Sequence, residues 1–150
     1  MVSRRGVRQT QHLDQRNGWT MTTTSCLCGA ISYEINGKIT QPRYCHCSHC
    51  RKFSGSAYAA WRVVEVDSFR WISGAELVSR FDAGNGYRTF CSQCGSPVRY
   101  EPHATNKILG IPLGALHDAP PPTMHLWTRS KLPWIEINDD LAQYETYPHP

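Results

Sequence analysis

The 150 residues contain no run of about 18 uninterrupted apolar residues, so no membrane-spanning helix is expected. Residues 1–20 lack the apolar core of a secretory signal, and the stretch after Arg4-Arg5 is too polar to complete a twin-arginine signal. These absences predict a soluble, cytoplasmic protein. There is no internal repeat and no low-complexity tract, and Gly84-Asn85-Gly86 lacks the strand–glycine–helix setting of a phosphate loop. An excess of one charge is also nearly missing from the body of the chain. The formal net charge is +4, but Arg4, Arg5, Arg8 and Arg16 against Asp14 place +3 of it in residues 1–21 and leave +1 for residues 22–150. Deprotonating seven cysteines on two divalent ions would carry that body to about −2, which argues against nucleic acid as a partner.

Hydrophobic residues make up 40% of the chain and aromatics 11%, enough for the core of a single domain. Eleven glycines and ten prolines favour many short elements joined by tight turns, hence β structure. Residues 1–21 are polar and without hydrophobic periodicity and read as a flexible extension, with one domain over residues 22–150. Ile31, Tyr33 and Ile35 alternate with polar residues, predicting a half-buried strand that Asn36-Gly37 closes as a hairpin turn. Further strands are predicted at 58–64, 68–72, 77–81, 87–90, 98–101, 108–113 and 125–128, giving a β-rich sandwich or open barrel of short antiparallel strands. At most one or two helical turns are expected near residues 48–53, with Ser48 as the cap and Gly55 as the stop. Pro120-Pro121-Pro122 reads as a stiff surface loop.

What the chain does have is seven cysteines in three clusters: Cys26-Leu27-Cys28-Gly29, Cys45-His46-Cys47-Ser48-His49-Cys50 and Cys91-Ser92-Gln93-Cys94-Gly95. The odd number and tight spacing fit metal ligation better than disulfides. Tetrahedral zinc needs sulfurs about 3.8 Å apart, whereas strand residues at i and i+2 start roughly 6.6 Å apart. The chain must therefore bend at each pair, and Gly29 and Gly95 supply the freedom to do so. The first and third clusters offer two ligands each and together make a closed four-thiolate set. Closing the loop of about 63 residues between them costs roughly 3.7 kcal/mol plus a constant, against on the order of 10–16 kcal/mol supplied by a structural zinc. The middle cluster then holds three thiolates, the ligand number of catalytic zinc sites that keep a position for water or substrate. Two other readings of this cluster remain open: closure by His46 or His49 into a structural site, and a metal-free redox dithiol.

The run Cys26-Leu27-Cys28-Gly29-Ala30, the run Cys45 to Lys52 with Gly55 after it, and Phe90-Cys91-Ser92-Gln93-Cys94-Gly95-Ser96 resemble the signature of the glutathione-dependent formaldehyde-activating enzymes, a family that includes centromere protein V. Met124-His125-Leu126 through Lys131-Leu132-Pro133-Trp134 is similar to that family's C-terminal segment, so the resemblance covers residues 22–147. It implies an Mss4-like complex β fold. It also implies a structural zinc on Cys26, Cys28, Cys91 and Cys94 and a catalytic zinc on Cys45, Cys47 and Cys50. The implied activity is that of a carbon–sulfur lyase, the condensation of glutathione or a similar thiol with formaldehyde or a related small carbonyl. Arg51 and Lys52 then become candidates for binding the glutathione carboxylates, alongside the plainer reading of two solvated cations. A non-catalytic, zinc-built module for protein or nucleic acid is the alternative, and a homodimer is compatible with either.

Trp61, Phe69, Trp71 and Phe81 lie in alternating runs and are expected in the core, while Tyr44, Phe53 and Trp134 are candidates to line a pocket. His103, His117, His125 and His149 show no metal-ligand spacing and read as loop or strand residues. The Glu65/Asp67 and Asp139/Asp140 pairs read as solvated turn charges.

Overall fold

The computed structural model describes residues 11–14, 19–38, 40–117 and 119–148. In chain order its strands and helix are β1 (Gln11–Asp14), β2 (Trp19–Ser25), β3 (Ser32–Lys38), β4 (Thr40–Cys45), α1 (Ser48–Ser54), β5 (Ala59–Glu65), β6 (Phe69–Ser73), β7 (Val78–Asp82), β8 (Gly86–Cys91), β9 (Pro97–Pro102), β10 (Ile108–Pro112), β11 (Met124–Leu126) and β12 (Ala142–Gln143). β1 and the start of β2 fall within the segment read as an extension, and they pair from Gln11 with Thr22 to Asp14 with Trp19. Residues 1–10 and 15–18 of that segment lie outside the described residues, as does His149. No helix among the described residues is long and apolar enough to cross a membrane.

Two sheets form. The smaller runs β1-β2-β3-β6, and the larger runs β12-β11-β4-β5-β10-β9-β8-β7. Their facing sides meet in a core that includes Ile31, Tyr33, Ile35, Val64, Val98, Leu109 and Ile111. Each fully buried aliphatic side chain here contributes about 1.5–3 kcal/mol relative to exposure. Phe69 stacks on Tyr33 at 5.1 Å and meets Trp71 edge-on at 4.7 Å, so two of the four expected core aromatics cover the end of this core. Period-two alternation gives the larger sheet a second buried face. Along β5, Ala60 and Val64 join the first core, while Ala59 and Trp61 pack with Cys45, Cys50 and Phe53 beneath α1.

The mainly β reading and the single short helix hold, with five differences of detail. β11 pairs parallel with β4, His125 opposite Tyr44 and Leu126 opposite Cys45, and β12 pairs parallel with β11. The chain between β10 and β11, which includes the three prolines, is long enough to turn round and enter from the same end, which a hairpin forbids. Asn36-Gly37 is not a turn: β2 extends opposite it, pairing Met21 with Asn36 and Thr20 with Gly37. A Cβ on Gly37 would strike the Ser68 side chain, so the glycine serves a close approach within the strand. β4 was hidden by Pro42, which the sheet accommodates at a register shift between Thr40 and Arg43. Phe81, expected in the core, is 64% exposed on the outermost strand. Finally, the cap of α1 is Cys47, whose sulfur accepts the Cys50 N–H, rather than Ser48; Gly55 ends the helix in the left-handed conformation as expected.

Candidate metal and reaction centre

The first and third cysteine clusters meet as two matching turns. In one, the Cys26 N–H bonds to Ile31 O and the Gly29 N–H to Cys26 O, both at 3.0 Å. In the other, the Cys91 N–H bonds to Ser96 O at 3.0 Å and the Gly95 N–H to Cys91 O at 2.8 Å. Gly29 and Gly95 have φ of 79° and 74°, the left-handed conformation these turns require. Ser96 joins the two, its hydroxyl accepting the Leu27 N–H at 2.9 Å and the Cys94 thiol at 3.2 Å. All four sulfurs lie within 4.8 Å of one another. The Cys26–Cys28 and Cys28–Cys91 separations are 3.5 and 3.9 Å, close to the edge of a zinc–thiolate tetrahedron at about 3.8 Å and far from a disulfide bond at about 2.05 Å. The donor set fits zinc.

Cys45 ends β4, Cys47 caps α1 and Cys50 sits in its first turn, which bends the chain enough to gather three sulfurs within 4.8 Å. Among the described residues, no histidine nitrogen joins this group. His46 is wholly buried and points away, with Nε2 2.9 Å from Nδ1 of His125. His49 borders the adjacent cavity instead. Closure of the trio by a neighbouring histidine is therefore not what the side chains do. Cys47 is held far below an ordinary thiol, first by the hydrogen bond from the Cys45 thiol, then by those from the Cys50 thiol and N–H. The hydrogen bond to Cys47 raises Cys45 to about 11, and hydrogen bonds with Cys45 and then Cys47, together with burial, raise Cys50. Among the three sulfurs, negative charge is therefore favoured on Cys47.

The C-terminal segment holds this loop in place. The His46 N–H donates to Leu126 O at 3.0 Å and the Arg51 Nε–H donates to His46 O at 3.1 Å. His125, 4% exposed, carries the link outward, and its Nε2 meets the Asp139 carboxylate at 3.0 Å. Asp139 lies below its usual carboxyl range because it accepts that hydrogen bond, so it is not merely a solvated charge. His46 is pushed down to about 4 by burial and by its neighbour His125, and is neutral at pH 7. Tyr44 and Tyr58 close the stack around the two rings, at 5.0 Å from His125 and 5.2 Å from His46.

A cavity of about 290 Å³ opens directly on the trio. Its aromatic walls are Trp61, Tyr100, Trp127 and Tyr147, and its cations are Arg43 and Arg88. Trp127 reaches it from a left-handed backbone, φ 59°, an uncommon conformation for a bulky residue. Tyr44, Phe53 and Trp134 do not border it; Phe53 instead stacks on Trp61 at 6.3 Å, and Trp134 is 69% exposed. Arg51 and Lys52 do not border it either. The sequence reading missed Arg43, Arg88, Trp127 and Tyr147 as walls and Asp139 as a partner of His125.

The family model of glutathione-dependent formaldehyde-activating enzymes matches residues 21–130. A crystal structure of a Rhodobacter sphaeroides protein shares the fold with a TM-score of 0.54 at 23% identity, over 66% of this chain and 91% of that one. No protein of curated function matches the chain significantly. The architecture is the mainly β, Mss4-like one. With the match spanning all seven cysteines, the chain belongs to the glutathione-dependent formaldehyde-activating enzyme family.

Proposed function

We propose that the protein is a zinc-dependent carbon–sulfur lyase that joins a thiol such as glutathione to formaldehyde or a related small carbonyl, reversibly, at the Cys45/Cys47/Cys50 trio. The observation that carries the reading is the cavity's position: the three sulfurs form part of its wall, whereas the four sulfurs of the other cluster do not. Cys26, Cys28, Cys91 and Cys94 then hold a structural zinc that ties the β2–β3 connection to the end of β8. The trio's own zinc would supply a position for the substrate sulfur and lower its pKa.

The residues of the chain prepare that site. Cys47, favoured as the thiolate, and the thiols of Cys45 and Cys50, which would release their protons to solvent on binding the metal, would fix its charge and direction. The aromatic walls limit water around the reacting atoms. In the addition, a carbon–sulfur bond forms, the carbonyl π pair moves to oxygen, and the proton lost from the thiol ends on that oxygen, giving the S-hydroxymethyl product. An interaction module has no need of an aromatic-walled cavity against its sulfurs, so the enzyme reading is the better supported one.

The test is the rate of adduct formation from glutathione and formaldehyde, with zinc per chain measured on the same sample. Acceleration above the spontaneous rate that disappears in Cys47→Ser is the expected result. A protein with two zincs bound and no acceleration would remove this substrate pair.

A further inference from the structure

The cavity holds more positive charge than its known groups need. Arg88 comes from the centre of β8 and is 4% exposed, yet among the described residues no carboxylate pairs with it. Its guanidinium lies 3.9 Å from the centre of the Tyr100 ring, and its Nε is buried without a hydrogen-bond partner. Tyr100 is fixed in turn by its hydroxyl, which donates to Asn85 O at 2.7 Å. The cation is thus held rigidly against an aromatic face at the cavity wall, within electrostatic reach of Cys47. Arg43 borders the same space, its NH1 turned to Gln41 Oε1 at 3.1 Å. Among the described residues, neither aspartate nor glutamate borders the cavity.

A buried charge without a partner is costly, and a guanidinium is matched best by a planar carboxylate. Three thiolates on a divalent ion carry a single net negative charge, which two arginines exceed. The surplus, the planar donor and the missing acid all call for an anion that arrives with the ligand.

We propose that Arg88 is the carboxylate anchor of this cavity, so that the site selects thiols bearing a carboxylate close enough to the sulfur for both to be held at once. This rests on the thiol reading of the trio and adds the residue that determines specificity. Arg51 and Lys52 do not border this cavity.

The test compares two probes that differ only in the anion, N-acetylcysteine and N-acetylcysteine amide. Each is titrated calorimetrically into the zinc-loaded full chain without any carbonyl, and zinc content is measured in parallel. Wild type should bind the acid at least about tenfold tighter than the amide, the scale of one charged hydrogen-bonded pair. Arg88→Gln should lose that preference, and Arg88→Lys should keep part of it. Equal affinities in wild type would overturn the anchor while leaving the thiol reading standing; binding of neither probe would overturn both. A full preference persisting in Arg88→Gln would also overturn it. Because the wild-type comparison needs no variant, the proposal stays testable even if the glutamine variant folds poorly.

Discussion

His46 and His125, 79 positions apart, share a hydrogen bond of 2.9 Å inside the protein, and this bond ties the loop carrying the sulfur trio to β11. His46 has Cys45 and Cys47 as its immediate neighbours, while His125 continues to Asp139 at the surface. Partners of this kind orient the ligands of a metal site without touching the metal.

His125→Ala should therefore cost about 1–3 kcal/mol, because it leaves His46 Nε2 buried and unpaired. The loss should extend to the trio: its zinc should bind about 10–100-fold more weakly while the four-cysteine zinc is unaffected. Thermal unfolding together with chelator competition for the two zincs checks both parts. An unchanged trio affinity would reduce the pair to ordinary packing.

Cys47→Ser should lower zinc from about two to about one per chain with the fold retained, since the remaining zinc holds the two sheets' ends together by itself. Elemental analysis and far-UV circular dichroism on the same sample give the answer.

Cys91→Ser should behave differently. The four-sulfur site supplies on the order of 10–16 kcal/mol, as much as the whole stability of an ordinary domain, roughly 5–15 kcal/mol. The variant, or the wild type under a strong chelator, should unfold cooperatively at room temperature. A folded, metal-free chain would show that the hydrophobic core suffices.

Zinc binding to the trio should release about two protons near neutral pH, those of Cys45 and Cys50, because Cys47 is already ionised. With two folded-state thiols raised and one lowered, affinity falls as pH falls, by about a hundredfold per unit. Calorimetry of the weaker binding step in buffers of different ionisation enthalpy counts the protons. A count near three would mean that Cys47 is not held as the thiolate.

The features legible in the sequence were local ones. The cysteine spacings, the glycines after Cys28 and Cys94, the alternation of Ile31, Tyr33 and Ile35, and the helix stopped by Gly55 each depend on a few neighbouring residues. What the sequence concealed was set by distant pairing. Asn36-Gly37 has turn chemistry, but a seven-residue partner strand overrides it. His125 and Asp139 meet because β11 enters parallel to β4, and Arg88 faces the trio because β8 crosses beneath the cavity. Arg51 and Lys52 drew notice by lying next to the cysteines, yet the helix carries them away from the space those cysteines border.

The division of the sulfurs into four and three is the central claim, and anomalous diffraction at the zinc edge tests it most directly. The account predicts two peaks, one about 2.3 Å from each of Cys26, Cys28, Cys91 and Cys94, the other equally close to Cys45, Cys47 and Cys50 with a non-protein fourth ligand. A single peak, or a histidine nitrogen completing the second, would contradict it.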